Sequence, residues 1–188
     1  MATYYGLLTD AGSTGGDTVV LIASVPPGTG ATVVTVKVHK SGAPPFSTTM
    51  TTNANGYASV SLVPDTYTQL VEVSASPTLA VGIIQQASPQ GSYTQLPPES
   101  KTKGTLFYAT SNSIQTSLLF GNPSSSTTAT VTLTGPSGVI MTQAILPKMA
   151  YRYEVSTLCL ALKVTSTASV VVESGVYGAA GLNLLLPS

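Results

Sequence analysis

Turns rich in proline and glycine interrupt this sequence about every 8 to 12 residues, and the segments between them are rich in Val, Thr, Leu and Tyr. No segment repeats apolar residues at helical spacing over about ten positions. In residues 31–39 the apolar residues alternate instead, with Val34, Val36 and Val38 on one face. This pattern predicts an all-β protein folded as an antiparallel sandwich or barrel.

The same order of strand and turn occurs twice along the chain. Residues 23–42 read ASVPPGTGATVVTVKVHKSG, and residues 121–138 read GNPSSSTTATVTLTGPSG. A short apolar segment precedes each copy, TVVLI at residues 18–22 and TSLLF at residues 116–120. Because the matching positions are apolar strand positions and turns, the repeat indicates a duplicated fold and not a duplicated active site.

A polar segment separates the two copies. Residues 87–103 hold three prolines and show no periodicity, which is typical of a linker between domains. About seven strands in each copy fit an immunoglobulin-like sandwich that lacks the usual cysteine and tryptophan core. We therefore predict two tandem immunoglobulin-like antiparallel β-sandwich domains from an internal duplication. The first module covers residues 1–86, and the second covers residues 104–188 with a leucine-rich C-terminal tail.

Charged side chains are scarce in this protein. They make up 7% of the 188 residues, against about 25% in typical soluble domains. Seven Lys and Arg balance seven Asp and Glu, and the basic residues are scattered, whereas nucleic-acid binding needs a clustered basic face. A hydrophobic content of 43% excludes a disordered chain. The composition favours a protein that packs into an assembly or is displayed outside a cell, without a nucleic-acid partner.

Few residues of this sequence could carry chemistry. The one cysteine, Cys159, excludes an internal disulfide and lies in an apolar run, so we expect it to be buried. The one histidine, His39, has no carboxylate near it in the sequence, and we expect it at a solvated strand end. Asp10 and Asp17 flank a Gly-Ser-Thr loop that either binds Ca²⁺ or is a plain hairpin loop. Apart from that open alternative, we predict no catalytic, cofactor-binding or metal site, no cofactor, and a protein that is not an enzyme.

The N-terminal sequence MATYYGLLTD lacks the basic and long apolar segments of a signal peptide. The longest apolar runs are about five residues, far short of the ~18 that a membrane helix needs. We expect no membrane insertion, and either use without secretion or a signal that has been removed.

The C-terminal residues 175–188, GVYGAAGLNLLLPS, lose the alternation of the preceding strand. Two interpretations remain open for this tail. It is either a last strand that packs on its own module, or a docking arm that inserts into a neighbouring subunit. The candidate assembly contacts are Leu182, Leu184, Leu185 and Leu186.

The second half of the chain has a strand followed by Asn-Pro-Ser-Ser, Ala-Thr-Val-Thr-Leu, a glycine turn, Leu-Pro and a last strand ending in Val-Tyr. This order resembles the immunoglobulin-like β-sandwich repeats of bacterial surface proteins and phage structural proteins, such as fibre and capsid-decoration proteins. The first half matches loosely, since Ser24 and Val25 replace Asn-Pro. The matching residues are 120–133, Gly138, Leu146, Pro147, 164–166 and 170–177. The resemblance implies a structural role.

Three functions follow from these observations, in order of preference. The first is a virion component, such as a capsid decoration (cement) or tail-associated subunit, that packs against copies of itself or against a shell or fibre protein as a homo-oligomer. The second is a cell-surface or extracellular fibre or matrix subunit. The third is a carbohydrate- or ligand-binding β-sandwich module. Location in the virion is expected for the first, and an extracellular or cell-surface location for the second.

Overall fold

The computed structural model describes residues 2–8, 18–62, 68–76, 80–87, 90–95, 101–107, 115–155 and 161–177. Within these ranges the regular structure is β-strand and no helix occurs, which confirms the all-β prediction. The chain divides into two compact units, Met1–Glu99 and Ser100–Ser188.

The first unit consists of two antiparallel sheets. One sheet has the strand order β1-β6-β3-β4 and the other has the order β5-β2-β7-β8. The strands are β1 (Ala2–Leu8), β2 (Thr18–Ser24), β3 (Val33–His39), β4 (Phe46–Thr51), β5 (Tyr57–Leu62), β6 (Gln69–Ala75), β7 (Ala80–Ala87) and β8 (Gln90–Gln95).

The core of the first unit lies between its two sheets. Val34, Val36 and Val38 of β3 are buried, which confirms the face predicted from their alternation. They belong to one apolar cluster with Val73 of β6 and with Leu21 of β2, which is in the opposite sheet. Because both sheets contribute inward side chains to the same cluster, the unit is a β-sandwich.

The second unit has the strand order β12-β11-β14-β10-β13, and β9 also pairs with β14. All of these pairings are antiparallel. Its core contains the buried side chains of Leu118, Phe120, Val131, Leu133 and Leu162. The strands are β9 (Lys101–Phe107), β10 (Gln115–Gly121), β11 (Ala129–Gly135), β12 (Gly138–Ile145), β13 (Ala150–Val155) and β14 (Ala161–Tyr177).

One long strand, β14, pairs with three other strands of the second unit. The first part of β14 pairs with β9 and β11, and its last seven residues pair with β10. The pairing of β14 with β9 shifts register between Thr165 and Val170. In the first unit, two separate strands, β6 and β7, make the corresponding pairings.

Five pairings of the first unit have counterparts in the described part of the second, whereas β7–β8 has none there. β9–β14 corresponds to β1–β6, β11–β14 to β3–β6, and β10–β14 to β2–β7, while β11–β12 and β10–β13 correspond to β3–β4 and β2–β5. Each unit differs from an immunoglobulin domain in its terminal strands, because in that fold the first strand pairs with the second and the seventh with the sixth. Here β1 pairs with β6 and β7 pairs with β2.

The segment expected to be a linker, residues 87–103, contains strand structure. β8 lies within it and pairs with β7, and the first residues of β9 also fall inside it. The two units divide between Glu99 and Ser100, which is within the same segment. Strand pairing uses main-chain hydrogen bonds and needs no alternation of apolar residues. The polar sequence of β8, QGSYTQ, therefore lacks the pattern that would have predicted a strand.

Candidate functional site

The residues selected from the sequence for assembly or metal binding lie outside the described ranges. The tail therefore stays a prediction in both of its interpretations, and so do the loop that could bind Ca²⁺ and the burial of the cysteine. These residues are Leu182, Leu184, Leu185, Leu186, Asp10, Asp17 and Cys159.

Two uncharged strands lie at corresponding edges of the two units. β4 pairs with β3, β12 pairs with β11, and each is the last strand of its sheet in the part of the chain that the structure describes. Both carry exposed apolar side chains: Phe46 on β4 is 52% exposed, and Val139 and Ile140 on β12 are 67% and 41% exposed. An edge strand without charges presents unpaired main-chain groups to any strand that approaches it.

The turn before β12 and a bulge shape its first residues. Gly138 has a φ of 117°, which a residue with a side chain rarely adopts, and it follows directly on the Pro-Ser turn. Leu133 pairs with Met141 whereas Thr134 pairs with Val139, so Ile140 is an extra residue in β12. From Met141 to Ile145 the register is regular.

A buried asparagine fixes the other end of β12. Asn122 is fully buried, and its Nδ2 donates hydrogen bonds to the carbonyl oxygens of Ile145 (2.9 Å) and Thr127 (2.8 Å). Its Oδ1 accepts a hydrogen bond from the main-chain N–H of Ser124 at 3.0 Å. The Asn-Pro-Ser motif of the sequence is therefore an anchor that holds the end of β12 to the loop after β10.

The other edges of the second unit carry charges. β13 contains Arg152 and Glu154, whose Nε and Oε1 atoms lie 2.5 Å apart, and β9 contains Lys101 and Lys103. Charged residues on an edge strand oppose the addition of another strand. Among the described edges of this unit, β12 is the one without such protection.

The structure places Glu72 beside Lys37 and His39, which are more than thirty residues away from it in the sequence. The Nε2 of His39 lies 3.3 Å from Oε2 of Glu72, and the Nζ of Lys37 lies 3.8 Å from Oε1 of the same residue. The side chains of His39 and Glu72 are 11% and 14% exposed, so the prediction of a solvated histidine was wrong. The missing information was the pairing of β3 with β6, about thirty residues away in the chain.

This ionisable cluster matches a cross-strand pair better than a reactive site. Glu72 is directly opposite Lys37 in the β3–β6 register, and opposite charges at such positions stabilise a sheet. Across the described ranges, no three His, Cys, Asp or Glu residues come together in a way that could hold a metal ion.

Two loops of the first unit enclose an open hollow of about 280 Å³. It is lined by Val25, by the turn PPGTG at residues 26–30 and by residues 54–56 of the turn NANG. Small-molecule sites usually occupy about 300–1,000 Å³ and contain a few converging polar side chains. The hollow lacks charged residues and is lined mainly by Pro and Gly.

No helix in the described ranges has the length and the apolar character that a bilayer span requires. Compared with protein-family models, with curated proteins and with solved structures, the chain matches none.

Proposed function

We propose that this protein is a non-enzymatic structural subunit of a virion, such as a capsid decoration or tail-associated protein, and that it works by packing against neighbouring subunits. The observation that carries the proposal is the absence of charged residues from five edge strands of the described sheets, β1, β4, β5, β8 and β12. Charged side chains on an edge strand oppose the addition of another strand, and these edges lack them. An assembled subunit covers its edges with its neighbours.

The charge content supports the same proposal. A chain with 7% charged residues and zero net charge gives little repulsion between copies in solution. Weak repulsion is a disadvantage for a free monomer and an advantage for a subunit that must pack closely. A cell-surface or extracellular fibre subunit is the second candidate, and the hydroxyl-rich sequence favours it because Ser and Thr solvate a surface without charges.

Light scattering of the purified chain tests the structural role. The full chain is compared with a version that ends at Gly178, which keeps every described strand because β14 ends at Tyr177. We expect an oligomer for the full chain. Loss of the oligomer on truncation would assign the contact to the tail, and its persistence would assign it to the described units. A monomer in both cases, at all accessible concentrations, would refute the structural role.

A second control distinguishes the effect of removing the whole tail from the effect of removing only its leucine side chains. It is a full-length variant in which all four leucines become serine, at Leu182, Leu184, Leu185 and Leu186. Immunogold labelling then distinguishes the two candidate locations: labelled virus particles support the virion subunit, and labelled cell surfaces support the extracellular fibre.

A further inference from the structure

We infer that β12 is a self-pairing strand, through which two copies of this chain join their second units into one continuous sheet. The inference rests on the proposed structural function and names its contact. Each copy adds its β12 antiparallel to the β12 of the other, around a two-fold axis that passes beside Gln143. The partner is therefore a second copy of this chain.

The hydrogen bonds around β12 show which main-chain groups point to the open edge. The N–H of Thr130, on β11, donates to Oγ1 of Thr167 on β14, at 2.9 Å, and so points away from β12. Thr130 is opposite Ala144, so this is a pair of the kind that exchanges no main-chain hydrogen bonds. The N–H and C=O of Ala144 therefore point to the open edge, and those of Thr142, two residues earlier, do the same.

A side-chain contact supports this orientation. The Nε2 of Gln143 donates to the carbonyl oxygen of Ala144 at 2.8 Å, in an exposed position. The amide of Gln143 thus bonds the acceptor that an added strand would use. Replacing that contact by a main-chain bond from a second copy releases the Gln143 side chain.

The regular part of β12 is self-complementary about its centre. The bulge at Ile140 leaves Met141 to Ile145 with regular pairing, and Gln143 is the middle residue of that segment. With the two-fold axis there, Thr142 of each copy exchanges both main-chain hydrogen bonds with Ala144 of the other.

The side chains match in this arrangement. Opposite residues of an antiparallel pair share a face, so Met141 of each copy lies opposite Ile145 of the other. Both side chains belong to or pack against the apolar core of their own unit, so the two cores become continuous at this contact. The two Gln143 side chains lie opposite each other, where their amides can exchange hydrogen bonds.

Among the described edges of the second unit, the charges favour β12 as the partner of β12. β12 carries no charge, so its self-pairing places no like charges opposite one another. The edges formed by β13 and β9 carry the charges noted above and are poor partners for it. With zero net charge, two whole chains approach without repulsion.

A charge exchange at Gln143 tests this contact. Gln143→Lys and Gln143→Glu are purified separately, and we expect each to be a monomer by light scattering, because it places like charges opposite each other at the axis. An equal mixture of the two variants should regain the dimer mass, since Lys then lies opposite Glu. Rescue by mixing cannot come from a variant that has failed to fold.

Thr48→Lys provides the matched control in the first unit. Thr48 lies on β4 and pairs with Val36 of β3, just as Gln143 lies on β12 and pairs with Val131 of β11. Both Thr48 and Gln143 are half-buried. We expect this variant to remain dimeric. Dimers in the separate Gln143 variants, failure of the mixture to dimerise, or loss of the dimer in Thr48→Lys would overturn the inference while the structural role stands. A monomeric wild-type chain would overturn both.

Discussion

Asn122→Ala should destabilise the second unit strongly, although the change removes a polar side chain from a loop. The substitution deletes the two hydrogen bonds that Nδ2 donates and the one that Oδ1 accepts. The carbonyl of Ile145 is buried and also faces Ala129 in the β11–β12 register, so loss of the bond from Asn122 costs about 1–2 kcal/mol. The other two partners are part-buried and can bind water, so each adds at most about 0.5–1 kcal/mol. The sum is about 2–4 kcal/mol, a large share of the roughly 5–15 kcal/mol that stabilises a domain.

Urea unfolding of the full chain, followed by tyrosine fluorescence, measures this loss. Hydrogen exchange of peptides from residues 115–155 and 18–62 assigns it to a unit. Asn53→Ala is the control: the Oδ1 of Asn53 accepts hydrogen bonds from Asn55 and Tyr57, but in an exposed turn, so we expect about 0.5–1 kcal/mol. Equal effects of the two substitutions, or a loss below about 0.5 kcal/mol for Asn122→Ala, would refute the argument from burial.

Two further pairs of variants test the backbone and the core by the same unfolding assay. Gly56 and Gly28 both have a φ of 82°, but a Cβ at Gly56 would lie 3.0 Å from the carbonyl oxygen of Val25, whereas the space at Gly28 is open. We therefore expect Gly56→Ala to cost more than the ~1 kcal/mol of Gly28→Ala, and the reverse order would contradict the packing argument. Phe120→Ala should cost about 3–5 kcal/mol because the ring is fully buried, while Phe46→Ala should cost less than about 1 kcal/mol; similar losses would show that burial does not set the effect.

The sequence predicted the features that depend on neighbouring residues. Alternation in β3 marks the buried face because side chains of a strand point to opposite sides in turn. The restart of the pattern after residue 103 indicated a second unit of the same kind. Asn122 was expected in the polar segment after the strand of residues 116–120 and lies in the loop after β10, but its hydrogen bond to the carbonyl of Ile145 joins residues distant in the sequence.

Features that depend on pairing between distant segments could not be predicted from the sequence. In the sequence, residues 160–165 and 168–173 match two separate strand segments of the first copy, which predicts two strands, yet β14 is one strand from Ala161 to Tyr177. The pairing of His39 with Glu72 depends on the β3–β6 register. An edge is defined by the strand that does not pair with it, so no local pattern could identify β12 as an open edge of the described sheets.

The position of β14 at the end of the second unit has a consequence for the order of events during synthesis. Its partners β9, β10 and β11 all emerge from the ribosome first, and among the described strands the remaining pairings are β11–β12 and β10–β13. Isolated two-stranded ribbons are marginally stable in water. Until residues 161–177 arrive, the described part of the nascent second unit therefore consists of two weak ribbons with exposed apolar faces and an unpaired β9. Its uncharged edge is then a target for chaperones and for other nascent chains before it becomes a contact in the finished protein.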